Sequence, residues 1–211
     1  MSVVGIIPAG GSGERLGADG PKAFAVLAGR PMLEWSLEAL AASCDRVVVA
    51  VPAGFEAAPD RIRGGASRSE SVRNALAAAP EATVVVVHDA ARPLVTRELV
   101  ARCLEELGED EAAIAAAPVT DTVKEGDGGR VLRTLDRSRL WAVQTPQVFR
   151  ADALRSALDA PAERLAAATD DASLVESAGG TVRLVEAPPE NLKVTTPLDM
   201  RIAEAILESR C

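Results

Sequence analysis

The sequence predicts an α/β fold built around a doubly wound, mostly parallel sheet. Short runs rich in β-branched residues alternate along the chain with segments whose apolar residues recur at helical spacing, as a layered α/β fold requires. The runs are apolar throughout instead of alternating with polar residues, which is typical of parallel strands buried on both faces. With 211 residues, 48% of them hydrophobic, the chain suits one domain with its own core, and we expect 1–211 to form a single domain.

The first half of the chain contributes four predicted strands and three predicted helices. The strands lie at 3–7, 46–51, 83–87 and in the Ala-rich run 112–117. The helices lie at 31–42, at 69–79 and from an N-cap at Thr96 to about residue 107. Ligands of doubly wound sheets bind beyond the carboxyl ends of the strands, so the loops after residues 7, 51 and 87 are the places to look for a site.

The alternation breaks between about 119 and 143, where the pattern predicts a β-hairpin arm. A strand at 119–124, a glycine-rich turn at 125–129 and a returning strand at 130–135 are expected. An isolated two-stranded arm is marginal in water and needs a partner surface, which points to a dimerisation arm. After the arm we expect helices at 151–158 and 170–177, a strand at 181–185 and a last helix that starts at Thr196-Pro197 and reaches Glu208.

Charge and cysteine content limit the classes of partner. The net charge of −8 argues against nucleic acid or a membrane surface, because both are bound through an excess of Lys and Arg. Three distant cysteines without metal-ligand spacing favour a reduced, cytoplasmic protein. Neither a signal peptide nor an apolar run of membrane-spanning length is expected.

The most informative local pattern is the glycine-rich loop after the first strand. Gly10-Gly11-Ser12-Gly13 is followed by Arg15 and by Pro21-Lys22. Glycines let backbone N–H groups approach an anion, and the two cations can neutralise it, so a phosphate-bearing ligand is the first hypothesis. The loop matches neither the Walker A spacing nor G-x-G-x-x-G, and a glycine-rich turn without the cations would more often be a tight connection.

Four further segments carry candidate polar groups. The segment 64–71 either caps a helix through Ser69 or Ser71 or contacts a base or ribose. His88 is the only histidine and is expected to be structural, whereas Asp89, with Arg92 nearby, could hold Mg²⁺ or a ribose hydroxyl. The segment 169–171 could simply cap a helix, and Lys193 lies in a strand-like run that an edge position would explain.

Taken in order, these segments resemble one enzyme family. The motifs that carry the resemblance are Pro8-Ala9-Gly10-Gly11-Ser12-Gly13-Glu14-Arg15-Leu16-Gly17, Pro21-Lys22, Gly64-Gly65-Ala66-Ser67-Arg68-Ser69-Glu70-Ser71, His88-Asp89-Ala90-Ala91-Arg92-Pro93, Asp121-Thr122-Val123-Lys124, Thr145-Pro146-Gln147, Thr169-Asp170-Asp171 and Asn191-Leu192-Lys193-Val194-Thr195. The set is similar to that of the 2-C-methyl-D-erythritol 4-phosphate cytidylyltransferases of the non-mevalonate isoprenoid pathway. The resemblance implies a Rossmann-like nucleotidyltransferase fold and a homodimer joined through the arm. It also implies transfer of CMP from CTP to methylerythritol 4-phosphate, with Mg²⁺ and release of pyrophosphate.

The resemblance also implies a role for individual residues. Catalytic roles fall to Arg15, Lys22 and Lys193. Nucleotide contacts fall to Pro8, Ala9, Gly10, Gly11, Ser12, Gly13, Gly65, Ala66, Ser71, Asp89 and Ala90. Acceptor contacts fall to Asp89, Arg92, Thr122, Arg137, Thr145, Thr169 and Lys193, with Thr122 and Arg137 coming from a neighbouring subunit. Asp89 is the one side chain expected to touch Mg²⁺, which is held mostly by phosphates.

The chemistry of the implied reaction fits a chain with one histidine. A phosphate monoester is mostly a dianion near pH 7, so its attack on the α-phosphorus of CTP needs no general base, only alignment and charge neutralisation. Alternative functions are a ribitol 5-phosphate cytidylyltransferase, a nucleotidyltransferase for a sugar 1-phosphate, or a non-catalytic nucleotide-binding subunit. The joint presence of Arg15, Lys22, Asp89 and Lys193 argues against the last of these.

Overall fold

The computed structural model describes residues 1–11, 16 and 20–210. Its strands are β1 (Val3–Pro8), β2 (Val26–Leu27), β3 (Arg30–Pro31), β4 (Arg46–Val51), β5 (Arg61–Arg63), β6 (Val84–Val87), β7 (Ala112–Pro118), β8 (Lys124–Asp127), β9 (Arg130–Thr134), β10 (Trp141–Arg150) and β11 (Val182–Glu186). Its α-helices are α1 (Met32–Ala41), α2 (Arg68–Ala77), α3 (Arg97–Glu105), α4 (Ala151–Leu158), α5 (Ala162–Ala167), α6 (Asp171–Ser177) and α7 (Pro197–Ser209). Two short 3-10 helices cover Lys22–Phe24 and Arg137–Arg139.

A seven-stranded sheet in the order β11-β7-β10-β6-β1-β4-β5 organises the described chain. Strand β10 runs antiparallel to both of its neighbours, β6 and β7, and the other pairs in the sheet are parallel. The predicted mostly parallel, doubly wound sheet is therefore confirmed. The strands predicted from apolar runs are present as β1, β4, β6 and β7, each within a residue of the expected bounds.

The continuous apolar runs have a simple physical cause, since consecutive residues of one strand enter two different cores. In β1, Val4 and Ile6 pack with helices α2, α4 and α6 on one face. Val3 and Ile7 pack with α1 and α3 on the other. A third, smaller apolar cluster packs α7 against the β2–β3 hairpin.

Strand β10 was not predicted, although it lies in the middle of the sheet. Its centre carries Gln144, Thr145 and Pro146, and polar residues together with a proline argue against a central strand. The strand accommodates them because its register with β7 shifts between Val143 and Gln147. The other elements missed by the sequence pattern are β5, α5, the two-residue strands β2 and β3 and the two 3-10 helices.

The arm exists as a hairpin, but its first strand begins later than expected. Residues 119–123 are not a strand, and β8 pairs with β9 across the turn formed by Gly128 and Gly129. Both glycines have positive φ, +52° and +78°, the backbone that tight two-residue hairpin turns require. Nearly all arm residues are exposed, including the apolar Val131 and Leu132 at 64% and 63%. No part of the chain that the structure describes covers them, and the role of the arm in dimerisation stays a prediction.

Candidate active site

A cavity of about 550 Å³ lies at the carboxyl ends of β1, β4 and β6. This is the edge of the sheet where the strand order predicts ligand binding. The residues that line the cavity come from four separate segments of the chain. They are Pro8, Ala9, Gly10, Gly11, Leu16, Lys22, Ala23, Gly65, Ala66, Ser67, Arg68, Ser71, Asp89, Ala90, Ala91, Lys193 and Thr195.

The first wall of the cavity is the end of β1 and the short 3-10 helix that begins at Lys22. The Ala9 N–H donates to the Ala50 carbonyl at 2.7 Å, which extends the β1–β4 pairing by one residue. The Lys22 N–H donates to the Gly11 carbonyl at 3.0 Å and fixes the lysine beside the opening loop. The other predicted residues of this loop, Ser12, Gly13 and Arg15, lie outside the described residues.

The second wall is the segment that leads into α2. The N-cap of this helix is Ser67, whose side chain forms a capping box with Glu70, so the expected caps Ser69 and Ser71 were wrong. The Ser71 hydroxyl accepts from the Gly65 N–H at 3.0 Å and donates to the Ser67 carbonyl at 2.9 Å. A Cβ on Gly65 would lie 2.4 Å from the Glu70 Cβ, so only glycine lets the loop pack this closely on the helix.

Asp89 lies at the floor of the cavity between two cations. Its Oδ1 accepts from Arg68 Nε at 3.0 Å, and its Oδ2 accepts from Lys193 Nζ at 2.7 Å. Burial alone would raise the pKa of Asp89, but Arg68 and Lys193 more than offset that effect and hold the pKa well below its usual range. The carboxylate is therefore ionised at any physiological pH.

Arg68 connects Asp89 to a second carboxylate, that of Asp171, for which the sequence suggested only helix capping. Its Nη1 donates to Oδ2 of Asp171, the first residue of α6. The Asp171 side chain has no exposed surface. Burial lowers the pKa of Arg68, but Asp171 and Asp89 together raise it above its ordinary value. Since 103 positions separate Arg68 from Asp171, no local pattern could have paired them.

His88 is structural, in keeping with its expected role. Its Nε2 lies 3.1 Å from the Arg92 carbonyl, which can only accept, so Nε2 carries the proton and Nδ1 accepts from the Thr145 hydroxyl at 3.0 Å. The Thr145 oxygen in turn accepts from the Asp89 N–H at 3.0 Å. Burial lowers the pKa of His88 to about 4, so the ring is neutral near pH 7. This chain of bonds fixes the backbone of Asp89 from behind.

The segment that carries Lys193 is not a strand, contrary to the expectation from its sequence. Residues 191–195 are irregular and are held by specific bonds. The Val194 N–H donates to the Ala91 carbonyl at 2.8 Å, and the Asn191 carbonyl accepts from Arg92 Nη1 at 2.7 Å. Burial lowers the pKa of Arg92, whose side chain ties this segment to the end of β6. These bonds place Lys193 over Asp89.

Comparison with known proteins decides the family. The model of the family described as IspD, 2-C-methyl-D-erythritol 4-phosphate cytidylyltransferase, matches residues 3–209. The chain belongs to this family. Membership confirms the resemblance drawn from the sequence, and with it the predicted cytidylyltransferase activity of the isoprenoid pathway.

Individual relatives and a solved structure agree with the family assignment. The 2-C-methyl-D-erythritol 4-phosphate cytidylyltransferase of Nocardia farcinica is 46% identical over 99% of this chain and 95% of its own length. The bifunctional enzyme IspD/IspF of Anaeromyxobacter dehalogenans is also 46% identical, but this chain spans only 57% of it. The crystal structure of the Thermus thermophilus cytidylyltransferase superposes with a TM-score of 0.84 at 40% identity, over 99% of this chain and 100% of that one.

Several predicted acceptor residues of this IspD-family chain lie away from its own cavity. Thr122 and Arg137 are exposed on the segments that flank the arm, where Arg137 donates to the Thr120 carbonyl. Thr169 is exposed just before Asp170, the N-cap of α6. Thr145 is buried, and its hydroxyl is committed to His88 and Asp89. The structure thus brings together the predicted nucleotide and phosphate contacts among the described residues. The predicted acceptor residues outside the lining are Arg92, Thr122, Arg137, Thr145 and Thr169.

Proposed function

We propose that this chain transfers CMP from CTP to 2-C-methyl-D-erythritol 4-phosphate in the cavity at the carboxyl ends of β1, β4 and β6. One observation carries the proposal. Three segments distant in sequence, around Lys22, Gly65 and Lys193, meet around the ionised Asp89 in a cavity of about 550 Å³. That volume is in the range of small-molecule sites, and family membership names the reaction.

The reaction joins two anions, so the task of the site is alignment and neutralisation. An oxygen of the acceptor phosphate attacks the α-phosphorus of CTP, the bond from that phosphorus to the oxygen bridging it to the β-phosphorus breaks, and pyrophosphate leaves with the bond electrons. The acceptor is mostly a dianion near pH 7, so no side chain has to remove a proton. Lys22 and Lys193 supply positive charge where negative charge builds up in the transition state.

The nucleoside half of CTP is assigned to the wall formed by Gly65, Ala66 and Ser71. Gly65 lets this segment pack closely on α2, which holds the segment at the wall of the cavity. The Ser71 hydroxyl fixes the loop conformation through its bond with the Gly65 N–H. The ionised Asp89 is placed to accept from ribose hydroxyls or to approach a metal ion on the phosphates.

Mg²⁺ fits this site as an ion held chiefly by the substrate. Across residues 1–11, 16 and 20–210, no group of three or more His, Cys, Asp or Glu side chains gathers in one place. Asp89 could offer one carboxylate oxygen once Lys193 moves off it, which suits an ion that binds through one or two carboxylates plus phosphates. When bound, Mg²⁺ would neutralise phosphate charge and orient the triphosphate.

We further propose that the arm joins two copies of the chain and carries acceptor-binding residues into the partner's cavity. Support comes from the exposed Val131 and Leu132 on the arm and from the exposed Thr122 and Arg137 that flank it. Sedimentation equilibrium tests the proposal with Leu132→Glu. We expect the wild type to be a dimer and the variant to be largely monomeric, and a monomeric wild type would contradict the proposal.

The transfer itself is tested by pyrophosphate release. The chain is mixed with CTP, MgCl₂ and methylerythritol 4-phosphate, and pyrophosphate is measured by a coupled assay. Release is expected only with all three present, and chelation by EDTA should abolish it. Matched reactions with ATP, GTP or UTP in place of CTP should be far slower.

Two alternative functions give different results in the same assay. Faster release with ribitol 5-phosphate than with methylerythritol 4-phosphate would assign the chain to that acceptor instead. CTP binding without release with either acceptor would favour a non-catalytic nucleotide-binding subunit. The cytoplasmic location expected from the sequence stays a prediction; among the described residues, the helices are all too short or too polar to cross a bilayer.

A further inference from the structure

Arg68 is a cation of the cavity that the reaction proposed above does not use. It is the first residue of α2, and its guanidinium bridges two carboxylates. Nε donates to Asp89 Oδ1 at 3.0 Å, and Nη1 donates to Asp171 Oδ2. Through these two bonds Arg68 joins α2 to the end of β6 and to the start of α6, directly beneath the place where CTP would lie.

The two cations on Asp89 are held with very different strength. The Lys193 side chain is 45% exposed and approaches Asp89 from an irregular segment. The Arg68 side chain is 28% exposed, and its second partner, Asp171, is completely buried. If Arg68 moved away, Asp171 would be left as a buried charge without its cation, which is strongly unfavourable. Lys193 can leave Asp89 without creating such a charge.

The geometry points to a division of labour between these cations: Arg68, anchored by Asp171, is a positioning residue that keeps the Asp89 carboxylate in place while Lys193 moves from Asp89 to the phosphates of CTP. The inference rests on the proposed function and adds to it how Lys193 exchanges Asp89 for the phosphates of CTP. Only arginine suits this position, since its planar guanidinium directs two N–H groups at fixed angles, whereas a lysine ammonium is a single point of charge.

A double-mutant cycle on turnover tests whether Arg68 acts through Asp89. The variants are Arg68→Lys, Asp89→Asn and the double variant, with kcat and the KM for CTP measured by pyrophosphate release. Arg68→Lys keeps the charge and loses the bridge, so we expect kcat to fall by on the order of 10²-fold, the effect of a misplaced catalytic group, with a smaller change in KM. The double variant should be no slower than Asp89→Asn alone.

Two more variants distinguish an effect of Arg68 through Asp89 from a purely structural effect. Arg73→Lys is the matched control, because Arg73 lies on the same helix, is 42% exposed and pairs with Glu70 outside the cavity. Its turnover should equal that of the wild type. Asp171→Asn keeps the shape of the anchor and removes its charge, so it should also lower kcat and be non-additive with Asp89→Asn. If the losses in kcat of two single variants multiply in the corresponding double variant, in either cycle, the inference is overturned.

The movement of Lys193 can be followed without turnover. The chain has only three lysines, Lys22, Lys124 and Lys193, so lysine-selective isotope labelling gives three NMR signals that single substitutions assign. Adding CTP and Mg²⁺ without acceptor should shift the Lys193 signal in the wild type and leave Lys124, on the arm, unchanged. In Asp89→Asn the Lys193 signal should already differ from the wild type before CTP is added.

The two readouts separate the inference from the function on which it rests. A Lys193 signal that stays fixed on CTP addition, in a chain that does release pyrophosphate, overturns the inference alone. A Lys193 signal that shifts with CTP, in a chain that releases no pyrophosphate, contradicts the proposed function and supports the exchange of partners.

Discussion

Replacing Thr145 by valine or by serine separates a structural hydroxyl from a substrate-binding one. The Thr145 oxygen accepts from the Asp89 N–H at 3.0 Å, and the hydroxyl donates to His88 Nδ1 at 3.0 Å. Valine has nearly the shape of threonine but removes both bonds, leaving a buried donor and a buried acceptor without partners. Serine keeps both bonds and removes one methyl group.

The expected loss of stability in each variant follows from the hydrogen bonds and the methyl group that the substitution removes. A buried polar group without a partner costs about 1–3 kcal/mol, so two such groups should make Thr145→Val less stable by about 2–6 kcal/mol. The methyl group lost in Thr145→Ser is worth about 1 kcal/mol. For a domain of this size 1 kcal/mol corresponds to about 2–4 °C in Tm, so valine should lower Tm by roughly 5–20 °C and serine by only a few degrees.

Thermal unfolding followed by circular dichroism, with turnover measured on the same samples, checks this prediction. Thr145→Ser should retain turnover because Asp89 stays in place, and Thr145→Val should lose it. Equal Tm values for the two variants, combined with a selective loss of acceptor affinity in Thr145→Val, would show instead that the hydroxyl faces substrate.

The remaining predictions concern charge. Lys22→Ala or Lys193→Ala should each lower turnover by on the order of 10²-fold, the effect of losing one charge contact to the transition state, and near-normal turnover in single-turnover kinetics would remove that role. Arg137→Ala should weaken acceptor binding more than CTP binding in calorimetric titrations, and the opposite order would argue against its action in the partner's cavity. The pKa of His88 is lowered from 6.5 to about 4 by burial, so the unfolded chain binds the extra proton first and stability should fall as the pH drops from about 6.5 to about 4. In His88→Asn, chemical denaturation should show a flatter dependence over that range, and identical slopes would contradict the assignment.

The parts of the fold that the sequence predicted are those in which local pattern and tertiary position agree. The valine-rich runs of β4 and β6 are buried on both faces, so their position in the sheet is visible in consecutive residues. Strand β10 is equally central, but Thr145 bonds to the Asp89 N–H and Gln144 bonds to Asn191 instead of entering an apolar core. A pattern based on hydrophobicity cannot find such a strand.

The same distinction applies to the site. Asp89 and Lys193 could be chosen one by one, since a charge at the end of an apolar run is conspicuous. The pairing of Arg68 with Asp171 could not be predicted in this way. Each residue is also an ordinary first residue of a helix, and the two meet only when α2 and α6 pack beside β6. The irregular form of the 191–195 segment was missed for a related reason, since its bonds go to Ala91, Arg92 and the side chain of Gln144 instead of forming a backbone ladder with a neighbouring strand.

Transfer of label from CTP tests the central claim most directly. The chain is incubated with Mg²⁺, methylerythritol 4-phosphate and CTP labelled with ³²P at either the α- or the γ-phosphorus, and the products are separated by anion exchange. We expect α-label in a new diphosphate diester and γ-label in pyrophosphate, in equal amounts. Label from the γ-position in the acceptor product, or α-label released as CMP without acceptor, would contradict attack at the α-phosphorus in this cavity.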